Sequence, residues 1–205
     1  MNPLYIYRKE TEEDFGRVET LTREAFWNVY QPGCEEHYIL HILRGDPAVI
    51  PALNLLCEAG GEIVGHIFCT RSQVLSDDGT IYPVITFGPV SVRPDLQGQG
   101  IGSALIRKTL ALAAETGFPG VIITGNPAYY SRFGFRPASD FGILYEDGSS
   151  FPALMALELV PGGLSDVSGR VSFAPAFTHV DAEALERFDS RFPKKQKLKL
   201  PGQLH

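Results

Sequence analysis

Apolar and polar residues alternate from Leu4 to Arg8, which is the period of a strand with one buried face. Residues 11–14 resemble a helix N-terminal capping box, with Asp in place of the usual Glu. We therefore expect a first helix to run to about Phe26. Pro32-Gly33 should separate it from a second helix over about residues 35–43. The chain is thus predicted to begin as one strand followed by two helices.

Three strands in antiparallel order are predicted next. Residues 54–58 and 62–75 flank Gly60-Gly61, a dipeptide typical of a two-residue hairpin turn. A second turn at residues 77–80 leads into a strand over residues 82–92, which Gly88-Pro89 interrupts.

At Ile101 the apolar residues change from the period of a strand to the period of a helix. From there to Ala113 they occupy one half of a helical wheel, and polar residues occupy the other half. Gly117 ends the helix, and the β-branched residues 120–124 predict a strand parallel to the one before the helix. Beyond it, the sequence predicts a short helix at residues 127–132, a strand from Phe135 and a last strand at residues 153–159.

Pro161-Gly162-Gly163 breaks this pattern of strands and suggests a domain boundary. We expect one domain over residues 1–160 and a C-terminal extension over residues 161–205 that packs on the same domain. Within the extension, Asp181 is predicted to cap a helix over residues 182–189. The lysines at positions 194, 195, 197 and 199 favour a solvated basic tail over a binding patch.

Composition and charge narrow the function classes. The 205 residues carry a formal net charge of −6, whereas a nucleic-acid-binding protein usually presents a basic surface to phosphates. The first ten residues contain no apolar stretch typical of a signal peptide, and no segment approaches the roughly 20 apolar residues of a membrane span. We expect a cytoplasmic protein that binds neither nucleic acid nor membrane.

The three cysteines, Cys34, Cys57 and Cys69, have no spacing typical of a zinc site. The hairpin at Gly60-Gly61 should place Cys57 opposite Val64, so that Cys57 and Cys69 do not face each other. We interpret all three as reduced core residues.

Residues 88–103 read as a strand, a turn, a glycine loop and the start of a helix. Glycine lets a backbone approach a phosphate closely and adopt positive φ angles. Successive N–H groups of the loop, together with the free N–H groups and positive dipole end of the helix, then suit a pyrophosphate. The segment lacks the third glycine of a Rossmann fingerprint and the Gly-Lys-Ser/Thr of a Walker loop.

Gln97-Gly98-Gln99-Gly100-Ile101-Gly102 resembles the pyrophosphate signature of the GNAT (Gcn5-related N-acetyltransferase) family, Gln/Arg-x-x-Gly-x-Gly/Ala, and follows the fourth strand as in that family. The resemblance covers residues 4 to about 160. It implies a GNAT-like acyl-CoA N-acyltransferase fold, a mixed α/β fold with a mainly antiparallel twisted sheet and helices on both faces. It also implies a splayed gap between the fourth and fifth strands. The cofactor-binding residues implied are Val90, Ser91, Val92, Gln97, Gly98, Gln99, Gly100, Ile101, Gly102 and Ser103.

A second match lies at residues 126–135, Asn-Pro-Ala-Tyr-Tyr-Ser-Arg-Phe-Gly-Phe, and resembles the closing motif of the same family. It implies that Tyr130 is the catalytic residue that protonates the leaving thiolate and that Asn126 contacts the pantetheine arm. The stretch from Asn to Tyr is about one helical turn shorter here than is usual. Tyr130 could alternatively be a core aromatic residue, and its neighbour Tyr129 is expected to pack.

The sequence leaves two parts of the expected acetyltransferase site unassigned, the general base and the acceptor pocket. The fourth strand carries Ile85, Thr86, Phe87 and Gly88 where many relatives place a glutamate, so no general base is assigned. His66 on the third strand and a water chain ending on a backbone carbonyl are alternative acceptors of the proton.

The resemblance places one wall of the acceptor pocket at the loop between the first two helices. Trp27 and Tyr30 are the expected substrate-binding residues, with Gln31, Glu35 and Glu36 nearby, although both aromatics could instead pack the helix pair.

The function expected is transfer of an acetyl group from acetyl-CoA, used as co-substrate without a metal, to a primary amine of a small molecule or peptide. The protein is expected to be a monomer or homodimer. A sensor of the same fold that binds acyl-CoA without turnover is the main alternative. A dinucleotide-dependent oxidoreductase fits the glycine loop less well.

Overall fold

The computed structural model describes residues 4–203 and contains five α-helices and nine strands in that range. The strands are β1 (Ile6–Lys9), β2 (Leu55–Ala59), β3 (Glu62–Leu75), β4 (Ile81–Val92), β5 (Gly120–Thr124), β6 (Arg136–Pro137), β7 (Ile143–Leu144), β8 (Leu154–Glu158) and β9 (Gly169–Ser172). The helices are α1 (Phe15–Phe26), α2 (Glu36–Leu43), α3 (Ile101–Ala114), α4 (Pro127–Tyr130) and α5 (Ala182–Asp189). The predicted mixed α/β class is confirmed, with seven of the nine strands in antiparallel pairs and the order β1-β2-β3-β4-β5-β8-β6 along the sheet.

The chain divides into two compact units, and β3, β4 and α3 contribute residues to both. Described residues 4–68, 89–106 and 175–203 form the first unit, and residues 69–88 and 107–174 form the second. None of the helices within residues 4–203 has the length and apolar character of a membrane-spanning segment.

In the first unit, β1, β2 and the start of β3 pair in antiparallel order, and the antiparallel pairing of β2 with β3 was predicted. The Thr11 N–H donates to Asp14 Oδ2 at 2.9 Å, so the shortened capping box forms and leads into α1. The predicted register of the hairpin was wrong, because Cys57 lies opposite Gly65 and not Val64. A bulge between Cys57 and Glu58 shifts the pairing by one residue. All three cysteines are buried and unbridged.

In the second unit, β5 pairs with β4 in parallel at Ile85 and Val121 and with β8 in antiparallel order along its whole length. Its core contains Val74, Ile122, Leu154 and Val171 among other fully buried apolar residues. The prediction that residues 153–159 form the last strand was wrong. The later strand β9 pairs with β3 from Gln73 to Leu75.

The C-terminal residues of the first unit are anchored on α1 and α2. Asp181 caps α5, as predicted, by accepting the Ala184 N–H at 2.6 Å. At the end of α5, Asp189 accepts from Arg23 Nε at 2.6 Å and lies 3.1 Å from His37 Nε2. Arg23 and His37 are almost completely buried. Because a buried guanidinium without a partner is costly, this anchor fixes α5 against the helix pair.

Acid should weaken this anchor. Burial lowers the pKa of His37 to about 4; Asp189 opposes this effect and Arg23 adds to it. The unfolded imidazole has a pKa of about 6.5, so between these values only the unfolded chain binds the proton. Stability is therefore complete above about pH 6.5 and should fall by on the order of 3 kcal/mol as the pH drops towards 4.

Thermal melting of wild type and His37→Gln between pH 7.5 and 4.5 measures this effect. The variant should lose stability less steeply across that range. His179→Gln, which removes an exposed imidazole, is the matched control. Parallel curves for wild type and His37→Gln would contradict the prediction.

Candidate functional site

The glycine loop connects β4 to α3. A short 3-10 turn over Pro94–Leu96 follows β4, and α3 begins at Ile101. Gly98 and Gly100 have φ angles of 76° and 88°, which side-chain-bearing residues rarely adopt. The loop therefore needs glycine at both positions.

The N–H groups of residues 98–102 have no hydrogen-bond acceptor within the part of the chain that the structure describes. Residues 97–100 are exposed, and a Cβ atom built at Gly98 or Gly100 would meet no atom within 4 Å. A helix start leaves its first N–H groups unpaired, and here the loop extends that series. The result is an open row of donors with the positive end of α3 behind it, which fits an anion such as a diphosphate.

Close packing beneath the loop holds the start of α3 in place. Ile101 and Leu105 are almost completely buried and face Gly65 of β3. A Cβ atom at Gly65 would lie 2.7 Å from Ile101 Cγ2, so only glycine lets the first turn of α3 come this near to the strand. The side chain of Ile101 thus belongs to the core, and any coenzyme contact from Ile101 would come from its N–H group.

Val90, Ser91 and Val92 end β4. The Ser91 side chain is fully buried, and its hydroxyl lies 2.8 Å from that of Thr22 on α1. Val90 and Val92 are half-buried and alternate with Ser91. Any coenzyme contact from Ser91 would therefore come from its main chain.

The two glutamines of the loop make internal contacts. Gln97 Nε2 donates to the carbonyl of Val92 at 3.1 Å, which ties the loop back to the end of β4. Gln99 Nε2 donates to the carbonyl of Asp95 at 3.4 Å, and Gln99 Oε1 accepts from the Tyr5 hydroxyl at 3.3 Å. Both side chains therefore shape the loop.

In the second unit, β4 and β5 pair in parallel at one register position, Ile85 with Val121, among the residues with a described partner. Three positions after Ile85, Gly88 has a φ angle of 149°, which residues with a side chain rarely adopt. Pro89 follows, and proline cannot donate to a ladder. The end of β4 is therefore irregular at Gly88-Pro89, where the sequence predicted an interruption next to a splayed strand pair.

Tyr130 ends the short helix α4 and lies in an aromatic cluster. Its ring centroid is 6.0 Å from that of Phe87 and 5.8 Å from that of Phe135. The Asn126 side chain caps α4 by accepting the Ala128 N–H at 2.9 Å, so this oxygen has an internal partner. The amide nitrogen of Asn126 is the part of the side chain suited to the predicted coenzyme contact.

The two aromatic residues predicted for acceptor binding differ in exposure. The Trp27 indole donates to the carbonyl of Gln196 at 3.0 Å, and the guanidinium of Arg23 lies 4.1 Å from the centroid of its ring. Trp27 is thus covered by the C-terminal segment. Tyr30 remains 48% exposed and is the better placed of the two to meet a substrate.

Asn28 fixes the loop that carries Tyr30. Its side-chain oxygen accepts from the N–H groups of Gly33 and Leu198, and its side-chain nitrogen donates to the carbonyl of Gln196. Its own carbonyl accepts from Gln203 Nε2 at 2.9 Å. The loop between α1 and α2 and the C-terminal segment therefore form one hydrogen-bonded layer.

Glu36, the first residue of α2, is a functional candidate that the sequence indicated only by position. Burial raises the pKa of its carboxyl group to about 7, and Glu35 adds to this, although N–H groups of Glu35 and Glu36 oppose it. Burial and the nearby Glu36 carboxyl raise the pKa of Tyr30. A carboxyl group that titrates near neutrality can exchange protons with a substrate.

His66 is completely buried, with its Nε2 atom 3.4 Å from Glu10 Oε1. Arg44 bridges Glu10 to Glu19, and both carboxylates are also nearly buried. Burial alone would raise the pKa of Glu10, but His66 and Arg44 outweigh it and hold that pKa below its usual value. This buried ionic network favours a structural role for His66.

Cys34, His37 and Asp189 are arranged like a nucleophilic triad, with Cys34 Sγ 3.5 Å from His37 Nδ1. Their electrostatics oppose that function. Burial raises the pKa of the Cys34 thiol, and the nucleophile would have to be the thiolate. We therefore assign the three side chains a structural role, with Cys34 packed beside the Arg23–His37–Asp189 anchor. Within residues 4–203, no group of three or more His, Cys, Asp or Glu residues could hold a metal ion.

A family model described as an acetyltransferase (GNAT) domain matches residues 6–138, well over half of the chain. Two uncharacterized N-acetyltransferases from Escherichia coli K12 are similar in sequence. YjhQ is 35% identical over 98 residues, or 47% of this chain, and the match spans about half of that protein's length (53%). YhbS is 25% identical over 84% of this chain and 98% of its own.

Solved structures agree with this match. A GNAT family acetyltransferase from Brucella melitensis in complex with acetyl-CoA has a TM-score of 0.70 and 29% identity, covering 86% of this chain and 99% of that chain. The structure of YhbS in complex with CoA has a TM-score of 0.77 and 23% identity, covering 88% and 96% respectively. The predicted GNAT-like fold is confirmed.

Proposed function

Since this chain belongs to the GNAT acetyltransferase family, we propose that it transfers the acetyl group of acetyl-CoA to a primary amine of a small molecule or peptide. One observation carries the proposal. The unpaired N–H groups of residues 98–102 form an open row at the start of α3, which suits the diphosphate of coenzyme A. The Brucella melitensis relative was solved with acetyl-CoA, and the similarity extends over nearly its whole length.

Other residues complete the proposed coenzyme site. The main chain of Val90 to Val92 binds the pantetheine arm in the manner of an added strand, and Ser91 keeps its side chain in the core. The Ser103 N–H belongs to the same helix start, and the side-chain nitrogen of Asn126 contacts the arm. These assignments require no metal ion.

The proposed reaction is direct acyl transfer. The neutral amine attacks the thioester carbonyl and forms a C–N bond. The main-chain N–H group at or near Val90 stabilises the oxyanion. The C–S bond then breaks, and Tyr130 donates its hydroxyl proton to the leaving thiolate. The nitrogen of the adduct gives up one proton, which replaces the proton that Tyr130 donated, and the products are an amide and CoA with a free thiol.

A coupled assay of thiol release from acetyl-CoA with a panel of primary amines tests the proposal. Release that depends on the amine, together with a mass increase of the amine by one acetyl group, would support it. Tight binding of acetyl-CoA without release for any amine would instead support a sensor. Stabilisation against heat by NAD and not by acetyl-CoA would overturn both.

For the general base we propose Glu36. An alkylammonium has a pKa of about 10 and must lose a proton before attack, and the pKa of Glu36 at about 7 suits an acceptor of that proton. Only the carboxylate form is a base. We therefore expect kcat/KM for the amine to fall below about pH 7 in the wild type.

Glu36→Gln should remove this acidic limb and lower kcat/KM at pH 8 by about 100-fold, in the usual range for a lost general base. The pH profile of the amine reaction measures both effects, and Glu35→Gln is the neighbouring control. An acidic limb that persists unchanged in Glu36→Gln would show that another group accepts the proton.

A further inference from the structure

Gly125 immediately follows β5, and the ring of Tyr130 lies directly against it. A Cβ atom built at position 125 would lie 2.5 Å from Cδ2 of Tyr130 and closer still to Cε2. Ordinary contacts of a Cβ atom begin at about 3.4 Å. Any residue other than glycine would therefore overlap the tyrosine ring. The φ angle of Gly125 is not positive, so the backbone itself does not require glycine there.

The backbone of Gly125 is fixed on both sides. Its N–H donates to the carbonyl of Ala153 at 2.8 Å, and the preceding Thr124 pairs with Leu154 in the sheet. The following Asn126 caps α4, and its carbonyl accepts the Tyr130 N–H at 3.0 Å. An added methyl group at position 125 therefore cannot be accommodated by moving the main chain without breaking these bonds.

The ring of Tyr130 must then move. To restore ordinary contact, it has to shift by about 1 Å, the difference between 2.5 Å and 3.4 Å. Its ring also lies near those of Phe87, Tyr129, Phe133 and Phe135, with centroid distances between 5.1 Å and 6.4 Å. A shift of this size would rotate the hydroxyl away from its position while the helix stays capped.

We propose that Gly125 is a positioning residue for the reaction, and that its missing side chain sets the place of the Tyr130 hydroxyl. The inference rests on the proposed role of Tyr130 in acetyl transfer. Misplacement of a catalytic group by about 1 Å can cost on the order of 100-fold in rate. Gly125→Ala should therefore lower kcat by between about 10-fold and 100-fold, with KM for acetyl-CoA changed by less than about twofold.

Two double-mutant cycles test the proposal. In the kinetic cycle, Gly125→Ala should reduce kcat in the wild type and have little further effect in Tyr130→Phe, because the hydroxyl is already absent. In the stability cycle, the loss of melting temperature in Gly125→Ala should disappear in Tyr130→Ala, because the ring that the methyl group meets is gone.

The control is Gly120→Ala at the other end of β5. Its Cβ atom would lie 2.7 Å from the Leu164 side chain and 2.8 Å from the Leu157 carbonyl, so it strains the same strand at a different place. It should lower the melting temperature and leave kcat per folded molecule unchanged. An equal fall of kcat in Gly120→Ala, or additive losses in the kinetic cycle, would overturn the positioning role.

The stability cycle does not depend on catalysis, so it tests the packing of Tyr130 against Gly125 separately from the catalytic role of Tyr130. Suppose that Tyr130→Phe has full activity, while the loss of melting temperature in Gly125→Ala disappears in Tyr130→Ala. The packing of the Tyr130 ring against Gly125 is then confirmed, and the proposed catalytic role of Tyr130 is wrong. If the stability cycle fails, the inference about Gly125 is wrong whatever Tyr130 does. Should Gly125→Ala fail to fold, Gly125→Ala with Tyr130→Ala should restore folding, and failure of this rescue would also overturn it.

Discussion

Gly100→Asp should reduce the affinity for coenzyme A by about 100-fold or more, because a carboxylate would stand where the diphosphate is proposed to bind. The space above Gly100 is open, because a Cβ atom there would meet no atom within 4 Å, and the new side chain would project towards the proposed ligand. The φ angle of 88° adds backbone strain, which would also disturb the row of N–H groups. Isothermal titration with CoA measures the loss.

Gly79→Asp is a closely matched control. Gly79 has a φ angle of 86°, and a Cβ atom there would likewise meet nothing within 4 Å, but it lies in the turn between β3 and β4. This variant should carry the same backbone strain and charge and bind CoA normally. Wild-type affinity in Gly100→Asp, or equal losses in both variants, would show that the diphosphate does not bind at this loop.

Tyr130→Phe should lower kcat by about 100-fold, the usual contribution of a general acid. The affinity for acetyl-CoA should change by less than about threefold, since the ring and its packing against Phe87 and Phe135 are retained. Steady-state rates with a reactive amine, combined with titration of the coenzyme, separate the two effects.

Tyr129→Phe removes a hydroxyl from the neighbouring residue and is the natural comparison. Its ring stands nearly perpendicular to that of Tyr130, with a centroid distance of 5.1 Å. It should be nearly as active as the wild type. A large loss of kcat in Tyr129→Phe together with full activity in Tyr130→Phe would identify Tyr129, and not Tyr130, as the proton donor.

The elements with local signals were predicted closely. The span of α3 follows from its apolar period and from Gly117, and the span of β5 follows from a run of β-branched residues between Gly120 and Gly125. The capping box of the turn before α1 and the cap of α5 each follow from side chains within three residues of the groups they bind. In each of these cases, the residues that decide the structure are neighbours in the sequence.

The features that sequence analysis missed depend on distant residues. β9 has only four residues, and its partner on β3 lies almost a hundred positions earlier. The bulge at Cys57 shifts a register that the turn residues alone would set differently. The shifted pKa of Glu36 comes from burial, and the indole of Trp27 is covered by the C-terminal segment. Neither environment can be recognised from the neighbouring residues in the sequence.

The bond between the carbonyl of Asn28 and the side chain of Gln203 joins positions 175 residues apart. A chain emerging from the ribosome cannot make it until Gln203 has been synthesised. The loop between α1 and α2 therefore acquires its final form only after a long-range closure, and such closures are slow. Products released prematurely, before Asp189 is added, would leave Arg23 without its partner carboxylate and would be early targets for proteolysis.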